Sequence, residues 1–311
     1  MKRNAMLFLL KWVVLIPVFL LSSCEHKELC YMYPQFAVVR VTFDWKNIDE
    51  RDRPEGMRVC FYPQQGGETW VFDFPGGKGG TVEIPEGDYH VASFNYDTEM
   101  IDWKNEGDYA AFMADTRDVS APDKTPACVT PGYLCGDCLD GVHLKNLRPG
   151  TETVVSLFPK RMVCRYTYEV NGIRNPEQVA DIRAGLSGMS GALWMSTDKL
   201  PDNLSESLLF GGAVLDRQIK GGFYTFGRCD KPAEHHIFKL YIKSRVGRMY
   251  VLEKDVTEQV ERIPVEGHLG DVHLVIDFDY EIPEEPIGGE DDSGFEVDVD
   301  EWIDVNEDIF I

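Results

Sequence analysis

Apolar and polar residues alternate with a period of two over most of this chain. In FAVVRVTFDW, Ala37, Val39, Val41, Phe43 and Trp45 share one face, while Arg40, Thr42 and Asp44 share the other. That is the pattern of a strand with one buried face. The rhythm returns in TWVFDF (69–74), in GTVEI (80–84) and, after the turn PEGD, in YHVASFNY (89–96), so short antiparallel strands joined by turns are expected. A second set opens at RMVCRYTYEV, where Met162, Cys164, Tyr166, Tyr168 and Val170 line one face. It closes at DVHLVIDFDY, where Val272, Leu274, Ile276, Phe278 and Tyr280 do the same. Two β-rich units follow, with a boundary near LRPGTETVVSLFPKR. Helical signals are few: Asn175-Pro176-Glu177 can start a short helix reaching about Ala184, and Val256, Val260 and Ile263 suggest another.

The first residues break the rhythm. Lys2 and Arg3 precede the apolar run MLFLLKWVVLIPVFLL and the small residues Ser22 and Ser23, which is the anatomy of a secretory signal. The run is interrupted by Lys11 and Pro17, and a spanning helix needs about 20 uninterrupted apolar residues. Leu21-Ser22-Ser23-Cys24 resembles a bacterial lipobox. The resemblance implies that residues 1–23 are a lipoprotein signal peptide and that Cys24 is acylated and becomes the mature N-terminus. Each buried CH₂ of an acyl chain contributes about 0.8 kcal/mol, so a multiply acylated cysteine holds a protein to a bilayer.

The other end is acidic. From Glu281 to Ile311 there are thirteen acidic residues and no basic one. PEEPIGGEDDSG (283–294) reads as a solvated linker, but FEVDVDEWIDVNEDIFI does not. There Phe295, Val297, Val299, Ile303, Val305, Ile309 and Ile311 fall on odd positions, while Glu296, Asp298, Asp300, Asp304, Asn306 and Asp308 fall on even ones. A strand with one apolar face must dock on a sheet, of its own chain or of another. An EF-hand reading of Asp304, Asn306 and Asp308 fails for want of the glycine and the closing glutamate.

The formal charge of −22 over 311 residues loses three positive charges with residues 1–23 and becomes −25. Nucleic acid and anionic membrane surfaces are poor partners for such a chain. Seven cysteines follow Cys24, and an odd number leaves at least one unpaired. Cys135 and Cys138 form a C-x-x-C, with Cys128 upstream and His143 downstream, but no second pair completes a zinc site and no βαβ context supports redox chemistry. With Pro131, Gly132, Gly136 and Asp137 around it, the segment reads as a turn-rich loop. In Glu234-His235-His236, adjacent histidines on a strand would point to opposite faces. GLSGM and GMSGA lack the last glycine of G-x-S-x-G, and no H-E-x-x-H, P-loop or Rossmann fingerprint is present. The sequence therefore nominates no catalytic residue, metal or cofactor. Trp45, Trp70, Trp103 and Trp194 suggest an alternative, a sugar-stacking platform on a surface glycan-binding lipoprotein.

The lipobox, the following Glu28-Leu29-Cys30, the IPEGDYHVASFN turn and strand, and LSGMSGAL at 186–193 together resemble the FimB-type fimbrial anchor and fimbrillin-like lipoproteins of Bacteroidetes, in a branch without assigned function. The resemblance implies an all-β chain of two tandem transthyretin-like (immunoglobulin-like) antiparallel β-sandwich domains, at 36–159 and 160–282. They would follow a lipidated linker at 24–35 and precede an acidic tail at 283–311. It further implies attachment to the outer membrane through the lipid, exposure at the cell surface, and other fimbrial subunits as partners, met by strand donation.

Overall fold

Each alternating segment has one apolar face to bury and a row of backbone groups on either side to pair, which is why these segments assemble into sheets. A computed structural model describes residues 35–145, 151–202, 205–229, 235–262 and 269–284. Its strands are numbered along the chain. β1 (Phe36–Phe43) buries Ala37, Val39 and Val41 and leaves Arg40 exposed. It lies between β11 (Glu152–Leu157) and β4 (Gly80–Pro85). A five-stranded sheet faces these three, in the order β12 (Lys160–Arg161), β10 (Cys135–His143), β5 (Asp88–Asn95), β2 (Gly56–Pro63), β3 (Trp70–Pro75). Val59, Phe61, Tyr89 and Val91 from this sheet share one core with Val39, Val41, Ile84, Val155 and Leu157 from the other.

The later half repeats the plan. A four-stranded sheet runs β17 (Ala213–Leu215), β18 (Gln218–Thr225), β13 (Cys164–Arg174), β21 (Asp271–Glu281). A six-stranded sheet runs β20 (Met249–Asp255), β19 (Ile237–Ser244), β14 (Val179–Met189), β16 (Glu206–Gly211), β9 (Pro126–Val129), β8 (Asp118–Ser120). Tyr166, Tyr168, Val170, Val272, Leu274 and Ile276 meet Ile182, Leu186, Phe210, Phe238 and Leu240 in the largest core. Burying an aliphatic side chain of this size contributes roughly 1.5–3 kcal/mol before chain entropy is counted. The Tyr168 hydroxyl, fully enclosed there, donates to the Gly211 carbonyl at 2.9 Å. A smaller sheet, β15 (Ala192–Trp194), β7 (Met113–Thr116), β6 (Ile101–Lys104), covers a third cluster built from both halves, including Phe94, Phe112, Leu193 and Phe226. β8 and β9, which come from the earlier half of the chain, hydrogen-bond into the sheet of the later half through β9 and β16.

The all-β expectation holds, and three local expectations are corrected. The first and last strands of each half lie parallel: β1 beside β11, from Val38↔Glu152 to Phe43↔Leu157, and β13 beside β21 from Arg165↔Asp271. β9 and β16 are parallel as well. Short turns impose antiparallel pairing only on sequence neighbours, and these partners are distant in the chain. The helix expected from Asn175 to Ala184 is a single 3₁₀ turn, Pro176–Gln178, after which β14 begins at Val179. β14 is held on both sides, by β19 and β16, and that pairing overrides the helix-start signal. Finally, the C-x-x-C region is not all loop, since Cys135 starts β10. Gly136 is there because a Cβ would stand 2.2 Å from the Ser93 carbonyl oxygen, so it permits close strand approach instead of a turn. The second expected helix is present as α1 (Thr257–Arg262), with Val260 buried.

Candidate functional site

Cys24 and the apolar face of Phe295, Val297, Val299, Ile303, Val305 and Ile309 lie outside the described residues. Among the described residues, no helix is long and apolar enough to cross a membrane.

The structure separates the residues that the sequence grouped by spacing. Cys135 and Cys138 stand three apart on β10 and so point to opposite faces. Cys135 packs with Ile48 and Met57, while Cys138 packs with the cluster around Phe94 and donates to the Met195 carbonyl at 3.1 Å. Burial pushes the Cys138 thiol up to about 12 and raises the Cys135 thiol as well, so neither has the thiolate character of a nucleophile or metal ligand. Cys128 belongs to the largest core, and Nδ1 of His143 lies 2.8 Å from the Asp88 carboxylate on the surface. His235 is exposed, 3.0 Å from Asp255, whereas His236 is buried with Nδ1 3.0 Å from the Ser187 carbonyl. The tryptophans do not form one platform. Trp70 packs on the first core, Trp103 on the third cluster against Phe94 and Phe112, and Trp45 beside Ile48 with its indole N–H donating to Gly77 at 3.1 Å. Trp194 lies on β15, in the same small sheet as Trp103 on β6 but separated from it by β7.

A cleft of about 420 Å³ opens between the Arg51–Pro54 turn, the loop after β5, Tyr133 and Tyr224. Its polar walls are largely engaged in holding the fold. Asn95 donates to the Tyr133 carbonyl at 3.0 Å and to Asp97 at 2.9 Å, and it accepts the Cys135 N–H at 2.8 Å. Asp97 accepts the Glu55 N–H at 2.7 Å, and Tyr133 and Tyr224 meet edge to face at 5.7 Å. The lining mixes Arg51 and Arg53 with Asp52, Asp97 and Glu99, so it lacks the single sign that would select an ion.

The surfaces with recognition chemistry to offer are the outer strands. A strand at a sheet edge presents backbone N–H and C=O groups that another strand can pair. β3 ends the five-stranded sheet with Val71 49% exposed, and its Asp73 is clamped from the neighbouring strand by Arg58 through bonds of 2.8 and 2.9 Å. β20 ends the six-stranded sheet. It carries exposed Val251 in its middle and the charges Glu253, Lys254 and Asp255 at its close. Alternation in the sequence marks these segments as strands but does not say that they lie outermost, which depends on pairings distant in the chain.

Packed pairs of sheets, whose outer strands have a partner on one side only among the described residues, define the class, an all-β sandwich protein. Residues 23–211 match the family described as a domain of unknown function, DUF5119, and the chain belongs to that family. It is 33% identical over 104 residues to a Bacteroides ovatus protein described as "Putative fimbrium anchoring subunit Fim4B", a stretch covering 33% of this chain and 31% of that relative. A solved structure from Bacteroides ovatus, titled a "putative adhesin", superposes with a TM-score of 0.62 at 20% identity, over 81% of this chain and 95% of that one. The fimbrial anchor protein Mfa2 from Porphyromonas gingivalis is similar with a TM-score of 0.48 at 15% identity, over 78% and 91%. The resemblance to fimbrial anchor and fimbrillin-like proteins drawn from the sequence holds.

Proposed function

We propose that this protein is a lipid-anchored subunit of the outer membrane, serving as anchor or accessory subunit in the assembly of a surface fimbria. The observation that carries the reading is the 33% identity over 104 residues to a relative described as a fimbrium anchoring subunit, joined to a fold of sandwiches whose outer strands pair on one side only among the described residues. In this reading Cys24 bears the acyl chains, and residues 295–311 are a strand on an acidic tether that pairs with a fimbrial partner. The charged face of that strand discourages indiscriminate pairing. A structural role accords with the dispersal of the cysteines and histidines described above. The glycan-capture alternative draws no support from the tryptophans, which are spread among separate packing groups.

Two experiments test the reading. Metabolic labelling with a fatty acid is expected to mark the wild-type protein and not Cys24→Ser, and undiminished label on the variant would overturn the anchorage. For the tail, the place of truncation matters. Ile282 is fully buried, and its carbonyl accepts a bond from Asn175 at 2.9 Å, so the chain is cut after Glu284. The truncated protein is expected to keep its melting temperature and to lose capture of a purified fimbrial stalk subunit. A large fall in melting temperature would show instead that the strand belongs to this protein's own fold.

A further inference from the structure

β21 is the outer strand of its sheet, yet its outer side is not bare. The side-chain amide of Gln259, on α1, donates from Nε2 to the Val275 carbonyl at 2.8 Å and accepts the Val275 N–H at Oε1 at 2.9 Å. A residue on a neighbouring strand would make the same two bonds. Alternate residues of a strand turn their backbone groups to the same side. His273, Val275 and Asp277 therefore share the outer edge, while Leu274 and Ile276 face β13. Among the described residues, no strand pairs with this edge.

The helix that carries Gln259 is built in firmly. It follows directly on β20, the outer strand of the facing sheet, and Val256 and Val260 are buried in the core between the sheets. Six residues make no stable helix alone, so its fixings matter. Asp255 accepts the Thr257 N–H at 2.9 Å, the Thr257 hydroxyl accepts the His236 N–H at 2.9 Å, and Arg228 donates to the Val260 carbonyl at 2.8 Å.

We infer that α1 is an edge guard: Gln259 takes the place of a strand at the middle of β21 and prevents a second copy of this chain from pairing there. The second copy is the occupant that the charges of β21 fit. Antiparallel pairing about a two-fold axis at Val275 sets His273 opposite Asp277 and Asp271 opposite Asp279. The two acids that would then face each other already carry counter-ions, since Arg161 lies 2.6 Å from Asp271 and Arg174 lies 2.5 Å from Asp279. Val275, 38% exposed, would meet itself at the centre. Charge alone therefore does not protect this edge as it protects many others, and the amide does.

The test uses the full-length chain purified in detergent, compared with Gln259→Leu and with Gln259→Leu/Val275→Lys. Loss of the paired bonds is expected to speed hydrogen exchange of the segment containing Val275 about tenfold at low concentration. Sedimentation is expected to show at least a tenfold gain in dimerisation for Gln259→Leu. Val275→Lys, which sets two lysines face to face at the axis, is expected to abolish that gain. Unchanged exchange, unchanged association, or a dimer indifferent to Val275→Lys would each overturn the inference. Should Gln259→Leu fail to fold, Gln259→Glu keeps an acceptor for the Val275 N–H, loses the donor to its carbonyl, and is read by the same three measurements.

Discussion

Gly188→Ala probes the segment LSGMSGAL, and its cost can be worked from the geometry. Gly188 sits where the pairing of β14 with β16 slips between Leu186 and Met189, with φ of +77°. An alanine there carries a left-handed penalty of about 1 kcal/mol. Its Cβ would also stand 2.5 Å from Nδ1 and 2.8 Å from Cε1 of His236. That ring cannot swing aside freely, because it is buried and its Nδ1 is tied to the Ser187 carbonyl at 3.0 Å. Overpacking of this kind costs roughly 1–3 kcal/mol, and the smaller entropy of the unfolded alanine chain returns about 0.4–1 kcal/mol. The net expectation is a loss of roughly 1–4 kcal/mol. Gly191→Ala, in the same segment, is the control. No positive φ applies there, and the nearest atom to a new Cβ is the flexible Cγ of Glu206 at 3.2 Å, so a change within about 1 kcal/mol is expected. Urea unfolding followed by far-UV circular dichroism measures both, with unchanged m-values confirming that the native state is being compared. A double-mutant cycle with His236→Ala is expected to show coupling of about 1 kcal/mol or more, since part of the clash disappears with the ring. Equal costs for Gly188→Ala and Gly191→Ala would refute the reasoning.

Three further outcomes are expected. Tyr168→Phe leaves the buried Gly211 carbonyl without its 2.9 Å donor and is expected to cost about 1–3 kcal/mol in the same urea assay; a neutral result would mean that the carbonyl finds another partner. Asp123 is partly buried, but its bonds to Lys239 at 2.8 Å and to Thr125 outweigh that burial and hold its carboxyl below the usual carboxylate range. A depressed acid stabilises the fold above roughly pH 4 and loses that contribution as pH falls through its native value. Asp123→Asn is therefore expected to lower the melting temperature at pH 7 and to differ less from wild type near pH 3; a gap that does not narrow would contradict the assignment. Burial pushes the thiols of Cys60, Cys128 and Cys138 up to about 12 and that of Cys164 to about 11. A thiol reagent at pH 8 is expected to modify these four only after denaturation, and mass mapping of rapid native labelling at any of them would count against their burial.

Alternation in FAVVRVTF and DVHLVIDF determined that these segments are strands and which face of each is buried, because a two-residue period is a property of the local chain. Val256, Val260 and Ile263 likewise pointed to a short helix, and α1 runs from Thr257 to Arg262 with Val260 buried, while Ile263 lies outside the described residues. What lay beyond the sequence were relations between distant residues. β1 and β13 each take as a parallel neighbour the strand that closes their half of the chain, and no turn residue announces such a pairing. Asn175-Pro176 carries a sound helix-start signal, yet β14 is drawn into a sheet between two partners whose hydrogen bonds outweigh it. The spacing of Cys135 and Cys138 suggested a site, and the pleat of β10 set them on opposite faces. The edges at β3, β20 and β21, and the amide of Gln259 lying along one of them, exist only once the strands are ordered. A glutamine that serves as a strand is indistinguishable in sequence from any exposed glutamine on a short helix. Its role comes from the two backbone groups of Val275 that the tertiary fold sets opposite it.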